Sequence, residues 1–152
     1  MRRSAGILLY RIREDNPEFF LVHPGGPFWK NKDIGAWSVP KGELDDDEEP
    51  LAAAKREFKE ETGISADGQF IPLTPVVQKS GKIVITWALK KNIDPSVLIS
   101  NTFNFEWPPK SGKFVNIPEV DKGGWFTITE AANKIIPGQF PIIKELYDLL
   151  NS

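Results

Sequence analysis

At 152 residues, 40% hydrophobic and 26% charged, the chain has the composition of one ordinary globular domain large enough to bury a core. It has no cysteine and only one histidine, His23, which excludes disulfides, thiolate nucleophiles, cysteine-based metal clusters and any multi-histidine metal site. A net charge of −2 argues against a basic nucleic-acid platform, and hard chemistry is left to carboxylates with a hard cation or to a bound organic cofactor.

The apolar run Ala5–Tyr10 follows Met-Arg-Arg but is too short for a secretion signal. No stretch approaches the length of a membrane span. The chain is therefore expected to be cytoplasmic, without membrane or nucleic-acid partners. Ser4–Ile12 reads as a buried strand, Glu14–Pro17 as a turn and Glu18–His23 as the returning strand of a hairpin. Pro24–Lys32 is a glycine-containing loop carrying Trp29, and Ala36–Pro40 a short strand ending at Pro-Lys-Gly. Pro50 suits the first turn of a helix that runs to about Thr62, where Gly63 fits the left-handed position past the end. Gln69–Gln78 and Lys82–Lys91 read as strands, Asn92–Gly112 as an irregular stretch containing Trp107-Pro-Pro, and Gly124–Ile128 as a short strand. Thr129 is expected to cap a helix through Ile136, and Phe140–Leu150 is a final amphipathic helix. Strands flanked by separated helices suggest one layered α/β domain over residues 1–152, with a mixed sheet.

The chemistry concentrates in Gly42–Ile64, GELDDDEEPLAAAKREFKEETGI. At 100° per residue, Glu57, Glu60 and Glu61 fall within an arc of about 100°. Like charges three and four apart repel by a few tenths of a kcal/mol per pair, and Lys55 and Lys59 lie off that arc. Three carboxylates on one face suit a divalent cation, which in the case of magnesium shares oxygen ligands with water and substrate phosphates. Ala53 and Ala54, one turn earlier, are read as leaving room for a bulky anion, with Leu51 and Phe58 assigned to the core. Glu48 is a candidate partner for Arg56, which would then hold a neighbouring carboxylate in orientation. A glutamate-rich helix is by itself usually a solvated surface.

The full spacing resembles the Nudix box, G-x5-E-x7-R-E-U-x-E-E-x-G-U, at every fixed position: Gly42, Glu48, Arg56, Glu57, Glu60, Glu61 and Gly63. Seven specified residues would match a given position by chance roughly a few times in a billion. Phe58 departs from the aliphatic residue more usual there. Trp37-x-x-Pro40-Lys41-Gly42 before the box and Trp125-Phe126 before a helix also look like the Nudix domain. The resemblance implies a Nudix-type α/β/α sandwich with a mixed sheet and a Mg²⁺- or Mn²⁺-dependent hydrolase. Glu57, Glu60 and Glu61 would bind metal and supply the base, the Gly42 carbonyl would be a further ligand, and Arg56 with Glu48 would orient the helix face. The reaction implied is attack of a metal-activated water on phosphorus in a nucleoside diphosphate linked to another moiety.

Outside the box, Glu106 and Glu119 are the candidates for an additional acid, and Lys41 is the favoured phosphate contact among Lys41, Lys79, Lys82, Lys110 and Lys113. Trp29 and Trp107 are candidates for stacking on a base, and His23 is more readily structural than catalytic. Short length and the Pro-Lys-Gly opening resemble small nucleoside-triphosphate and dinucleoside-polyphosphate hydrolases, with diadenosine tetraphosphate as an expected substrate. The alternatives are a non-catalytic Nudix module binding nucleotide or protein, and a hydrolase of a non-nucleoside diphosphate.

Overall fold

The computed structural model describes residues 2–152. Strand β1 (Arg3–Arg13) and strand β2 (Asn16–Pro24) form an antiparallel hairpin. Its turn residues Glu14 and Asp15 both have positive φ, 52° and 65°, as the tightest hairpin connections require. Strand β3 (Lys41–Glu43) follows, then helix α1 (Pro50–Thr62), the short strands β4 (Ile71–Pro72) and β5 (Val76–Val77), and the long strand β6 (Ile83–Lys90). Strands β7 (Thr102–Glu106) and β8 (Phe114–Pro118) form a separate two-stranded ribbon. Strand β9 (Val120–Phe126), helix α2 (Ile128–Lys134) and helix α3 (Phe140–Leu150) complete the chain.

The main sheet runs β4-β6-β1-β2-β9. β1 and β6 are parallel and every other pair is antiparallel, so the sheet is mixed. One edge of β1 is taken by β6; the other is shared, with β2 pairing its Tyr10–Arg13 end and β3 pairing Ser4–Gly6. β1 and β2 are apolar nearly throughout because both faces of the sheet are covered. Ile7, Leu9, Phe20 and Val22 pack with Ala53, Ala54 and Phe58 of α1. Leu8, Tyr10, Phe19 and Leu21 alternate to the other side and pack with Ala131, Ile142, Ile143 and Leu146 of α2 and α3. The result is the expected α/β/α sandwich.

Several boundaries differ from the sequence reading. Ala36–Pro40 forms only isolated bridges, Ser38 to Val22 of β2 and Trp37 to Ile135. The last strand begins at Val120 rather than Gly124. α2 starts two residues earlier than expected, since Thr127 accepts from the Glu130 N–H while the Glu130 side chain accepts from the Thr127 N–H. The stretch Asn92–Gly112 contains β7, whose aromatics alternate with polar residues. Ala53 and Ala54 are fully buried under α1 and offer no approach to an anion.

Candidate active site

α1 is set by local chemistry. Pro50 occupies its first turn, the Glu49 side chain accepts from the Leu51 N–H at 3.4 Å, and Gly63 ends it at φ 78° with its N–H bonded to the Lys59 carbonyl. Burying Ala54 and Phe58 against β1 fixes the rotation of the helix and turns Glu57 and Glu61 toward β3. Gly42 lies so close that a Cβ there would overlap the Glu57 carboxyl group.

Arg56 organises the upper part of this face. Its Nε and Nη2 donate to the two oxygens of Glu48 at 2.8 Å each, a forked pair. Its Nη1 donates to Glu57 at 2.8 Å and to Glu60 at 3.3 Å. The bond from Arg56, helped by the Asp45 N–H, holds the Glu48 carboxyl down at about 2. The guanidinium therefore holds three of the four fixed acids of the box, with Glu48 as its anchor.

Deeper in, oxygens of Glu57, Glu61 and Glu119 lie within 4.8 Å of one another. Glu119 stands at the entry to β9, where its carbonyl accepts from the Gly25 N–H and its own N–H donates to Asn101. Of the two acids proposed from outside the box, Glu119 thus reaches the cluster. Glu106 instead accepts from the backbone N–H groups of Lys110 and Gly112, closing the β7–β8 turn. Glu60 points to Arg56 rather than joining the three. Burial pushes the Glu61 carboxyl up to about 9, and the neighbouring charges of Glu57 and Glu119 add to it. Burial also raises Glu57 and Glu119. Burial and mutual repulsion disfavour ionising all three together, and such a cluster of oxygens is a candidate donor set for a hard divalent cation.

Lys41, Glu61 and Glu119 line a pocket of about 240 Å³ together with Ser38, Trp29 and Ile136. Burial lowers the Lys41 pKa, as does the charge of Lys82, while Glu61 and Glu57 pull it back up. Trp29 also lines a second cleft of about 370 Å³, walled by Phe28 on its own loop and by Phe103, Phe105 and Trp107 of the hairpin. The two tryptophans singled out in the sequence therefore meet in one place. His23 is buried, with Nδ1 2.9 Å from Asp121 Oδ1 and Nε2 2.6 Å from the Lys32 carbonyl. It ties the Trp29 loop to β9.

A family model, the NUDIX domain, matches residues 1–146. The chain belongs to the Nudix family. Among relatives, it is 32% identical over 111 residues to the rat bis(5'-nucleosyl)-tetraphosphatase [asymmetrical], covering 64% of this chain and 71% of that protein. Shorter matches join it to RNA pyrophosphohydrolases. With that of Erythrobacter litoralis it shares 51% identity over 37 residues, 24% of this chain and 23% of that protein. With that of Bartonella henselae it shares 61% over 67 residues, 41% of this chain and 36% of that protein. The chain thus spans well under half the length of either RNA pyrophosphohydrolase. A C. elegans Ap4A hydrolase binary complex superposes with TM-score 0.57 at 22% identity, over 99% of this chain and 93% of that one. A mutT/nudix protein from Listeria innocua gives 0.65 at 19%, over 99% and 94%. These likenesses show the Nudix fold. Within it, Glu119 was the residue the box could not supply, because the pairing of β9 with β2 and its own backbone bonds to Gly25 and Asn101 place it there.

Proposed function

We propose that this Nudix protein is a Mg²⁺- or Mn²⁺-dependent pyrophosphohydrolase. Its substrate is a nucleoside diphosphate linked to another moiety, a nucleoside triphosphate or a dinucleoside polyphosphate such as diadenosine tetraphosphate. The observation that carries this reading is the convergence of Glu57, Glu61 and Glu119 within 4.8 Å, two of which, Glu61 and Glu119, line a pocket with Lys41. The rat tetraphosphatase supports the dinucleotide class, and the retention of every fixed acid of the box argues for turnover over binding alone.

Glu57, Glu61 and Glu119 would hold the cation, with the Gly42 carbonyl as a further oxygen. Bound there, a divalent ion supplies charge neutralisation on the bridging phosphates and acidifies water. Arg56, anchored on Glu48, keeps Glu57 aimed inward and Glu60 at the rim. Lys41 holds a phosphate oxygen. A carboxylate of the cluster takes the proton of the attacking water. The water oxygen bonds to phosphorus, the bridging oxygen leaves with its electron pair, and two phosphate-bearing products separate.

The test is a screen of nucleoside triphosphates, dinucleoside polyphosphates and sugar or lipid diphosphates with added Mg²⁺ or Mn²⁺, products being identified by mass. Cleavage between phosphates of a nucleotide, lost on chelation, is expected. Full activity in excess chelator, or cleavage confined to non-nucleoside diphosphates, would overturn the reading.

A further inference from the structure

We propose that the Ser38 hydroxyl binds a phosphate oxygen of the substrate, and that Gln139, buried behind it, is the positioning residue that turns it to that task. The inference rests on the pyrophosphohydrolase reading above and deepens it at the pocket of Lys41, Glu61 and Glu119.

The segment leading to Lys41 is held along both edges. Ser38 exchanges both backbone bonds with Val22 of β2, at 2.9 and 3.0 Å. On the other edge the Trp37 N–H donates to the Lys134 carbonyl, and the Trp37 carbonyl accepts from the Ile136 N–H. These are successive bonds of a parallel ladder between this segment and the connection from α2 to α3. The next bond of such a ladder would run from the Val39 N–H to the Ile136 carbonyl. The chain turns away instead, and the Ile136 carbonyl accepts from the Gln139 N–H to close the turn Pro137–Gln139. The Gln139 side chain fills the place left open, its Oε1 accepting from the Val39 N–H at 3.0 Å.

That bond decides which way round the amide sits, since a backbone N–H is satisfied by the amide oxygen and not by its nitrogen. Nε2 is thereby aimed at Ser38 and donates to its Oγ at 3.1 Å. Gln139 is fully buried, so the amide has no solvent to turn toward. A hydroxyl has one proton and two lone pairs. With one lone pair taken by Gln139, the Ser38 proton is shared between the Val39 carbonyl at 2.8 Å and Gln139 Oε1 at 3.2 Å. Both acceptors are neutral. Ser38 lines the same pocket as Lys41, Glu61 and Glu119, and a phosphate oxygen drawn there by Lys41 carries charge. A charge-assisted bond is about twice as strong as a neutral one, so the proton goes to the phosphate while Gln139 keeps hold of the oxygen.

The experiment pairs turnover with binding. Initial rates on diadenosine tetraphosphate with Mg²⁺ are measured for wild type, Ser38→Ala, Ser38→Thr, Gln139→Met and the double variant Ser38→Ala with Gln139→Met. Affinity for methylenediphosphonate, whose P–C–P bridge water does not cleave, is measured by calorimetry on the same proteins, with circular dichroism as the check on folding. Ser38→Ala should raise KM and weaken diphosphonate binding, each by roughly 10- to 150-fold, with kcat nearly unchanged. Ser38→Thr keeps the hydroxyl and should restore most of both. Gln139→Met should raise KM by a smaller factor when Ser38 is present and by none beside Ser38→Ala, because it acts only through that hydroxyl. Gln139→Asn, an amide one methylene too short to reach, takes its place if Gln139→Met does not fold. Equal factors with and without the Ser38 hydroxyl, or a loss in kcat alone, would overturn the positioning role. Unchanged diphosphonate affinity in Ser38→Ala would overturn the phosphate contact. Either result leaves the pyrophosphohydrolase reading intact. If wild type cuts no nucleotide that reading falls, and the diphosphonate affinities still uphold or overturn the proposal by the same pattern.

Discussion

Replacing Glu61 by glutamine removes a charge from the candidate metal cluster while keeping its shape. Burial, reinforced by Glu57 and Glu119, moves this carboxyl from 4.5 to about 9. A displacement of that size separates its two protonation states by on the order of 6 kcal/mol. Between those two values the folded protein keeps a proton that the unfolded chain has already released. Stability from this group is present in full below the unfolded value and falls as pH rises through the window, by about 1.4 kcal/mol per pH unit, until it levels off above the folded value. In chelator, Glu61→Gln should remove that slope and leave the variant about 3–5 kcal/mol more stable than wild type near pH 8. Glu57 and Glu119 keep a smaller slope of the same sign. A divalent cation should reverse the order, since it stabilises the folded state by its affinity and binds best to the ionised cluster. Urea denaturation followed by tryptophan fluorescence, with chelator and then with Mg²⁺, reads both effects. The same pH slope in variant and wild type, or equal stabilisation of both by Mg²⁺, would refute the reasoning.

Gly42→Ala would put a methyl group into the Glu57 carboxyl, and metal affinity, followed by Mn²⁺ titration, should fall about 10- to 100-fold while the fold persists. Glu48→Gln weakens the fork that anchors Arg56; kcat should fall with circular dichroism unchanged, and wild-type turnover would show that Arg56 needs no anchor. Phe58→Ala, at a fully buried position, should cost about 3–5 kcal/mol in denaturant melts. Leu51→Ala, only partly buried, should cost clearly less.

α1 and α3 were legible nearly to the residue, because Pro50, Gly63 and the apolar spacing of Ile142, Ile143 and Leu146 are local signals. The acids of the box were legible from spacing alone. The β7–β8 ribbon was not, although Thr102–Glu106 alternates as a strand should, because Trp107-Pro-Pro read as a breaker of the whole stretch rather than as its turn. Choosing Glu119 over Glu106 needed the sheet: both are loop-flanking acids in one dimension, and only hydrogen bonding to Gly25 and Asn101 carries one of them to Glu61. Ala53 and Ala54 were placed on the wrong side of α1, since small residues mark a close helix–sheet contact as readily as an open surface.

The shared edge of β1 makes the site a matter of odd and even. Lys41, Gly42 and Glu43 lie opposite Gly6, Ala5 and Ser4, and successive strand residues face opposite sides of the sheet. One step of slippage would exchange Lys41 with Gly42. A lysine would then be driven against Glu57, where even a methyl group does not fit, and the pocket shared with Glu61 and Glu119 would lose Lys41. An inserted residue within Lys41–Glu43 would thus disturb the carboxylate cluster and the Lys41 pocket together, while one among residues 44–47 would only lengthen the approach to α1. Gly6 helps to hold the count: its missing side chain is what lets the Pro40 carbonyl and Lys41 Cβ come so near to β1. A glycine that lines neither pocket thereby keeps each residue of the Pro-Lys-Gly opening on its working side.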